Sequence, residues 1–484
     1  MKDISRNPTM LCDFYELTMA NGYFHCEMKD KVTYFDVFYR DNPDHGGYAI
    51  VCGLEQVIEY INGLHFDDDD IEYLRSKGCF GEDFLEYLRT FRFTGDMWAI
   101  PEGTVVFPGE PLITVRANAM EAQFVETYLL MIINHQSLIA TKASRLARAA
   151  KGRAISEFGS RRAQGADAAV LGARAAYIGG CTGTACTVTD EVYHVSATGT
   201  MAHSWVQMFD DEYTAFKTYC EQYPNNATLL VDTYNVLESG VPNAIRAFKE
   251  ILLPQGITRC GVRIDSGDIT YLTKKVRVML DEAGLTECKI VVSNSLDEYI
   301  IREIIRQGAC VDAFGVGERL ITAKSDPVFG AVYKLCAVEA ADGTIVPKIK
   351  LSENVGKITT PHFKKIYRLK GRDTGKAEAD LVCLYDEVVD DTKPLEIFDP
   401  EHTWKRKLME NFTATELQVP IYKKGRQVYT CPTIEEIRRH CTESLGEMWD
   451  EVKRFSNPHN YYVDLSDKLW TLKDEMIKER RGGK

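Results

Sequence analysis

The middle of the chain alternates short apolar runs with segments of helical periodicity. Between residues 153 and 318 the apolar runs end in Gly, Ser, Thr or Asp; in chain order they are RAISEFGS, AAYIGGCTGT, EVYHVSATGT, ATLLVDTYN, CGVRIDSGD, KIVVSNSL and VDAFGVGE. Amphipathic segments such as VPNAIRAFKEIL and LDEYIIREIIRQG separate most of them. This alternation is typical of βαβ units with a parallel sheet. Because so many successive strands end in polar residues, an α/β barrel is favoured over the alternative, an open doubly wound sheet.

The residues before this region mix strands and helices. Residues 31–40, KVTYFDVFYR, alternate apolar and polar positions and predict a strand. Residues 47–64 predict a Gly-punctuated turn that enters an amphipathic helix. Residues 95–116 are rich in Gly, Pro and β-branched residues, which predicts a tight β element.

The region after residue 338 is strongly charged and carries no motif that indicates chemistry. Its last part, residues 434–484, is mostly helical in pattern. We therefore expect three segments: an N-terminal α/β part with a linking helix over residues 1–140, an α/β barrel catalytic domain over 141–338, and a C-terminal part with a helical extension over 339–484.

The predicted linking helix, residues 121–152, carries a basic stripe in its second half. Lys142, Arg145, Arg148 and Lys151 recur at every third position. A solvated helix face is the simpler interpretation of this stripe. The alternative is a docking surface for phosphate groups.

Composition narrows the class of protein. A chain of 484 residues exceeds a single typical core, and its net charge of −13 argues against a generic binder of nucleic acid or of membrane surfaces. No apolar stretch reaches the roughly 18 residues of a membrane span, and the N-terminus lacks the pattern of a signal peptide. Scattered single cysteines indicate reduced thiols and a cytoplasmic protein, and the spacing of Cys431, His440 and Cys441 is poor for zinc.

Two motifs at predicted strand ends indicate anion and ring binding. SEFGSRRAQG, residues 156–165, places Phe158 beside Arg161 and Arg162, which suits a flat ring with carboxylate or phosphate groups. A structural salt-bridge corner is the alternative. SATGTMAHSWVQ, residues 196–207, places His203 in a loop of small residues, where an imidazole can attack phosphorus. The alternative there is an ordinary structural histidine.

Three further motifs carry carboxylates and glycines. Asp232 ends the apolar run of LLVDTYN, and in GVRIDSGDI the residues Arg263 and Asp265 share one strand face. The turn that follows them consists of Ser266, Gly267 and Asp268. A strand-end cation with several carboxylates suits an anionic ligand accompanied by hydrated Mg²⁺, whereas the alternative is a buried ion pair at the barrel mouth. In FGVGERL, Gly315 and Gly317 can present backbone N–H groups to a phosphate.

In combination and order, these motifs resemble the nicotinate phosphoribosyltransferase family, within the type II phosphoribosyltransferases. The motifs are DFYELTMA, EFGSRR, GTMAHS, VDTYN, RIDSGD and FGVGERL, and the resemblance runs from residue 11 to about residue 335. It implies an irregular α/β barrel beside an open α/β sandwich built by both chain ends. It also implies formation of nicotinate mononucleotide from nicotinate and phosphoribosyl pyrophosphate, coupled to ATP hydrolysis, in the salvage of NAD (formally a C–N ligase).

The resemblance implies roles for the catalytic and ring-binding residues. His203 matches the histidine that ATP phosphorylates, and Thr200 matches a residue of the nicotinate site. Phe158 and Tyr15 resemble two aromatic rings that enclose the pyridine. The family supplies that tyrosine from the neighbouring subunit, so a homodimer with shared active sites is implied.

The remaining implied roles concern charge and phosphate. Arg161 and Arg263 match residues that hold carboxylate and phosphate groups, while Asp232 and Asp265 line the region of the ribose and of Mg²⁺. The RIDSGD turn adds Ser266, Gly267 and Asp268 to the substrate site, and Gly315 and Gly317 face the 5′-phosphate. Mg²⁺ is expected on the substrate's pyrophosphate, without a cage of direct protein ligands.

Two sequence features bear on specificity. Many relatives carry a threonine where this chain has Glu318, so either the backbone alone contacts the phosphate or Glu318 points elsewhere. The nicotinamide branch carries an acid after the GT motif, where this chain has Ala185, and no acid lies between Asp167 and Asp190. Nicotinate is therefore favoured over nicotinamide. The alternatives are a nicotinamide-preferring enzyme and a non-catalytic nucleotide-binding barrel.

Overall fold

The computed structural model describes residues 7–26, 28–353 and 355–482. The chain forms two compact units. The first combines both chain ends, up to Leu138 and from Val328 onward, and the second is the continuous segment Ile139–Pro327. The predicted segment limits were residues 140 and 338. The second limit falls inside a strand, residues 332–339, that belongs to the first unit.

Strands occur throughout both units. In chain order they are β1 (Val32–Phe38), β2 (Ala49–Ile50), β3 (Asp96–Ala99), β4 (Val105–Val106), β5 (Ile113–Asn118), β6 (Ala154–Glu157), β7 (Gly183–Thr184), β8 (Thr228–Leu230), β9 (Gly261–Ile264), β10 (Lys289–Asn294), β11 (Ala313–Val316), β12 (Val332–Glu339), β13 (Ile345–Pro347), β14 (Lys364–Gly371), β15 (Ala377–Leu384), β16 (Leu395–Phe398), β17 (Arg406–Met409), β18 (Phe412–Glu416), β19 (Val419–Lys423), β20 (Arg426–Gln427) and β21 (Val463–Leu465).

The α-helices flank these strands. They are α1 (Phe14–His25), α2 (Leu54–Gly63), α3 (Asp68–Ser76), α4 (Glu82–Arg89), α5 (Ala119–Phe124), α6 (Glu126–Ala149), α7 (Ala166–Ile178), α8 (Thr187–Tyr193), α9 (His203–Gln207), α10 (Glu212–Gln222), α11 (Val241–Ala247), α12 (Ile269–Glu282), α13 (Glu298–Arg306), α14 (Glu318–Ile321), α15 (Ile434–Glu447) and α16 (Asp467–Gly482).

The second unit is an irregular parallel barrel, as predicted. Its strands are ordered β7-β6-β11-β10-β9-β8, so the last strand in sequence, β11, pairs with the first, β6. In the described part of the chain, the ring continues beyond β7 as one parallel bridge between Thr184 and Ala197. Within the described residues no ladder joins Ala197 to β8, which makes the barrel irregular.

Two of the predicted barrel strands are mostly helical. The run that begins AAYI ends α7 at Ile178, and the run that begins EVY ends α8 at Tyr193. Ala175 and Ala176 are fully buried on α7, and alanine has the highest helix propensity, so a short apolar run there favours helix over strand. The first of these two runs contributes β7 to the barrel, and the second contributes the bridge at Ala197.

The basic stripe on α6 is neither a solvated face nor a phosphate surface at its first two positions. Lys142 and Arg145 are each only 3% exposed, and both contact Glu298, which is fully buried. Lys142 Nζ lies 2.9 Å from Glu298 Oε2, and Arg145 Nε lies 2.8 Å from Oε1. Lys142 also donates to Ser325 Oγ at 2.8 Å. The stripe therefore joins α6 to the start of α13 and to the segment after α14.

The first unit contains the open sheet that both chain ends build. Its order is β13-β12-β1-β5-β3-β19-β20, with β1 antiparallel to both β5 and β12. A second sheet, β18-β14-β15-β21, comes entirely from the C-terminal part. The predicted strand, the Gly-preceded helix α2 and the β element at 95–116 are all present.

Candidate active site

The polar ends of β8 and β9 meet at one edge of the barrel. Asp232 Oδ2 accepts hydrogen bonds from the backbone N–H of Asp265 at 2.9 Å and from Ser266 Oγ at 2.6 Å. Parallel strands bring their carboxyl ends to one edge, which explains the meeting of these motifs. Asp232 Oδ1 is buried, and no described residue hydrogen-bonds it.

Asp265 is held in turn by the neighbouring strand. Ser293 Oγ, near the end of β10, donates to Asp265 Oδ1. A β-carbon at Gly315 would lie 3.3 Å from Ser293 Cβ, so Ser293 connects the carboxylates to β11. Sequence reasoning did not select Ser293, although the polar end of KIVVSNSL was the available signal.

Arg263 projects from β9 into the loop before α9. It donates to Thr200 Oγ1 at 2.7 Å and to the Met201 carbonyl at 2.9 Å. Burial lowers the pKa of its guanidinium, while Asp265 and Asp232 oppose that change. The hydrogen bonds of Arg263 therefore go to the loop before α9, while the charges of Asp265 and Asp232 still act on its guanidinium.

His203 begins α9 and faces the end of β8. Its Nδ1 lies 3.1 Å from the hydroxyl of Thr233, the residue after Asp232. The loop before it is held by Tyr219, whose hydroxyl donates to the Thr200 carbonyl at 3.0 Å. With Nδ1 engaged, Nε2 is the imidazole nitrogen left to act as a nucleophile or ligand.

Phe158 and the two glycines of FGVGERL form a second part of the site. The Phe158 N–H donates to the Val316 carbonyl at 2.8 Å. A β-carbon at Gly315 would lie 2.4 Å from ring carbon Cδ2, and one at Gly317 would lie 3.1 Å from the Phe158 carbonyl oxygen. The glycines therefore make room for the phenylalanine, a role that sequence reasoning did not foresee.

Glu157, which was not predicted, supports the turn that follows β6. It is fully buried, accepts from Thr184 Oγ1 at 2.7 Å and also accepts from the Gly159 N–H. Burial raises the pKa of this carboxyl. Arg161 lies exposed in the same turn, and its charge contributes to lowering the pKa of Arg263, so the two guanidinium groups act on one region.

The RIDSGD turn has a clear structural function. Asp268 caps α12, accepting from the Tyr271 N–H at 2.8 Å. Gly267 has a φ of +83°, which L side chains rarely adopt, so glycine suits this position. Contact of Gly267 and Asp268 with substrate stays a prediction.

Glu318 points towards a cation. Its Oε1 lies 2.6 Å from Lys324 Nζ, and this hydrogen bond lowers the pKa of the carboxyl. The sequence left two possibilities for this position: contact through the backbone alone, or a Glu318 side chain that points elsewhere. The structure favours the second, because the Glu318 side chain points to Lys324.

Tyr15 lies in the other unit, on the first turn of α1, and its side chain is 43% exposed. Its place against a ligand stays a prediction. Among the described residues, no group of three or more His, Cys, Asp or Glu is arranged to hold a metal ion. None of the helices in the described ranges is long and apolar enough to cross a membrane.

Family models match three parts of this chain. They are the nicotinate phosphoribosyltransferase (NAPRTase) N-terminal domain over residues 10–134, the NAPRTase family over residues 153–373 and the NAPRTase C-terminal domain over residues 363–473.

Curated relatives cover nearly the whole chain. Nicotinate phosphoribosyltransferase of Bacillus subtilis is 45% identical over 467 residues, which is 96% of this chain and 94% of the relative. The Caenorhabditis elegans nicotinate phosphoribosyltransferase is 32% identical and covers 95% of this chain and 92% of its own.

Solved structures share the fold. Human nicotinic acid phosphoribosyltransferase matches with a TM-score of 0.84 at 26% identity, covering 96% of this chain and 100% of its own. Nicotinate-nucleotide pyrophosphorylase from Pyrococcus furiosus matches with a TM-score of 0.70 at 25% identity, covering 92% and 97%.

Proposed function

Because this chain belongs to the nicotinate phosphoribosyltransferase family, we propose a specific course for its reaction at the barrel rim. The enzyme joins nicotinate to the ribose of phosphoribosyl pyrophosphate, and ATP acts through a phosphorylated His203. The observation that carries the proposal is the hydrogen-bonded set at one rim. Arg263 joins the Thr200 loop to β9, and Asp265, which directly follows β9, is joined to Asp232.

The transfer step depends on positioning. The nicotinate nitrogen attacks C1 of the ribose from the face opposite the pyrophosphate, the C1–O bond breaks, and pyrophosphate leaves with the bonding electrons. Phe158 supplies one face for the pyridine ring, and Arg161 supplies a cation for its carboxylate. Holding the two reactants in this geometry lowers the barrier, because little rotational and translational freedom remains to be lost at the transition state.

Two carboxylates, the two glycines of FGVGERL and a metal ion would surround the charged groups of the substrate. Gly315 and Gly317 would face the 5′-phosphate, and Asp232 and Asp265 would lie beside the ribose. The buried, unpartnered Oδ1 of Asp232 fits a site for hydrated Mg²⁺. When bound there on the substrate, Mg²⁺ would neutralise the charge of the departing pyrophosphate.

His203 is the residue on which ATP acts. Its Nε2 would accept the γ-phosphoryl group as ADP leaves, because Nδ1 is engaged by Thr233. A phosphoryl group adds roughly −1.5 to −2 charges and new acceptor oxygens. These acceptors can order the neighbouring substrate site before water returns the imidazole to its free state.

The quaternary and cellular context is proposed on separate grounds. Leu11, Tyr15 and Met19 are 37%, 43% and 37% exposed at intervals of four residues, a stripe suited to a second copy of the chain. That copy would place Tyr15 over the partner's pyridine. All fourteen cysteines lie in the described part of the chain, and no disulfide joins any two of them there, which fits a cytoplasmic enzyme.

One assay tests the reaction and its base. Purified protein is mixed with phosphoribosyl pyrophosphate, Mg²⁺, ATP and either nicotinate or nicotinamide, and mononucleotide and ADP are measured together. We expect nicotinate mononucleotide with accompanying ADP, and at least about tenfold lower kcat/KM with nicotinamide, a difference of about 1.4 kcal/mol. Equal use of both bases, or no mononucleotide with nicotinate, would contradict the proposal.

A further inference from the structure

The first turn of α1 is fastened to the start of α6 by a closed circuit of hydrogen bonds on both sides of Tyr15. The Asp13 N–H donates to Thr127 Oγ1 at 3.2 Å, and that hydroxyl donates to Glu16 Oε1 at 2.6 Å. The Thr127 N–H also donates to Glu16 Oε1, at 3.0 Å. The Glu16 N–H donates to the Asp13 carbonyl oxygen at 2.9 Å. Residues 13 and 16 are thus both tied to Thr127, while the Tyr15 ring between them remains 43% exposed.

Glu16 is an unusual choice for such an anchor. Its side chain is fully buried, and its Oε2 has no hydrogen-bond partner among the described residues. Burial raises the pKa of the carboxyl to about 8, with the hydrogen bonds of Thr127 opposing the rise and Glu126 and Asp13 adding to it. An uncharged carboxyl therefore fits this place at neutral pH, because a charge there would be desolvated beside two acids.

The groups around Glu16 come from several elements. Cys12 and Asp13 precede α1, Tyr60 lies on α2, Glu126 begins α6, and Tyr333 lies on β12. Lys334 supplies a cation to Glu126, with its Nζ 3.7 Å from Glu126 Oε1. Burial, followed by the charge and hydrogen bonding of Glu126, raises the pKa of Tyr15 as well.

We propose that Glu16 is a positioning residue for Tyr15: hydrogen-bonded through Thr127, it sets the direction in which the tyrosine ring leaves α1 and thereby the affinity for nicotinate. The inference rests on the proposed function, in which Tyr15 covers the pyridine of the partner subunit's site. Loss of the proton from Glu16 would leave a buried, desolvated charge, with Glu126 and Asp13 adding repulsion, and would thereby loosen the turn and weaken nicotinate binding. A merely structural anchor would instead lower stability without selecting one substrate.

The test separates the two substrates and the pH dependence in the full-length enzyme. Thr127→Val removes the hydroxyl at nearly constant volume, and Thr90→Val, at the exposed residue directly after α4, is the matched control. For Thr127→Val we expect KM for nicotinate to rise about tenfold, with kcat and KM for phosphoribosyl pyrophosphate changed less than about twofold. The control variant should match the wild type.

Glu16→Gln supplies the second arm, since the amide oxygen can still accept from Thr127 and the group cannot ionise. Wild-type kcat/KM for nicotinate should fall about five- to tenfold between about pH 7 and about pH 9, whereas Glu16→Gln should stay within about twofold over that range. If Thr127→Val does not fold, this comparison decides.

Three results have distinct meanings. An unchanged nicotinate KM in folded Thr127→Val, or the same pH profile in Glu16→Gln and wild type, would overturn the positioning role of Glu16. Equal increases in KM for both substrates would also overturn it, because they indicate a general loss of structure. Absence of mononucleotide with the wild-type enzyme would instead refute the proposed function.

Discussion

The ring of Phe158 occupies the space where a β-carbon of residue 315 would stand. Ring carbons Cδ2 and Cε2 lie 2.4 and 2.5 Å from that position, far inside van der Waals contact. Gly315 and Phe158 come from β11 and from the end of β6, the strands that close the barrel, so this contact joins barrel closure to the shape of the proposed pyridine site.

Gly315→Ala should therefore displace the Phe158 ring. We expect a loss of stability of about 1–3 kcal/mol from overpacking, together with a rise in nicotinate KM of at least about tenfold. Steady-state kinetics and thermal unfolding measure the two effects. Gly446→Ala on α15, where a β-carbon meets nothing within 4 Å, is the control and should leave nicotinate KM unchanged. An unchanged nicotinate KM in Gly315→Ala would show that the ring does not cover the base.

Asp232→Asn should impair catalysis more than binding of nicotinate. The substitution removes the negative charge of the Asp232 carboxylate, whose Oδ1 is buried and has no hydrogen-bond partner among the described residues. The amide oxygen of asparagine can still accept the hydrogen bond from the Asp265 N–H. We expect kcat to fall on the order of a hundredfold and the Mg²⁺ concentration for half-maximal rate to rise. Ser266→Ala, which removes one donor to Asp232, should cost only about tenfold. A normal Mg²⁺ dependence in Asp232→Asn would argue against a role near the metal.

Glu298→Gln should destabilise the barrel strongly. It would leave Lys142 and Arg145, each 3% exposed, without their shared buried carboxylate. We expect a loss of about 3–5 kcal/mol in the free energy of unfolding, measured by urea denaturation. On the same helix, Glu303 pairs with Arg306 at the surface, where the side chains are 46% and 72% exposed. Glu303→Gln should lower the free energy of unfolding far less, because water screens the exposed pair, and similar losses for both variants would contradict this interpretation of the α6 stripe.

Lys324 should matter only because of Glu318. Their ion pair is partly exposed, with side-chain exposures of 59% and 37%, so its effect is modest. Lys324→Ala removes the hydrogen-bonded cation of the Glu318 carboxylate next to Gly317, and KM for phosphoribosyl pyrophosphate should rise about two- to fivefold. Adding Glu318→Thr should return that KM to the wild-type value. Additive effects of the two substitutions would show that the residues act independently.

The sequence predicted the barrel because its signals are local. Polar residues after short apolar runs marked β8 to β11, and parallel topology then brings those ends together. Asp232, Arg263 and Asp265 were found in this way. The runs at Ala175 and Glu191 misled because short apolar segments satisfy both helix and strand patterns.

Other features depend on contacts between distant residues, and no local signal identifies the partner that each residue contacts. The burial of Lys142 follows from Glu298, which lies 156 positions later in the chain. Glu157 and Ser293 support the site from buried or partly buried positions, and nothing about a single Glu or Ser at a strand end predicts its partner. The role of Tyr15 followed from family resemblance, because an exposed tyrosine on a helix carries no indication of a ligand by itself.

The central claim is that ATP acts through His203, and one measurement tests it most directly. Wild-type enzyme and His203→Ala are incubated with γ-labelled ATP, and acid-labile protein label is quantified beside ADP and mononucleotide. We expect label on the wild type alone and no substrate-stimulated ADP release from His203→Ala. Transfer by His203→Ala should be independent of ATP and slower than ATP-stimulated transfer by the wild type on the order of tenfold or more. Acid-labile label, together with undiminished ATP stimulation of transfer, in His203→Ala would contradict the claim.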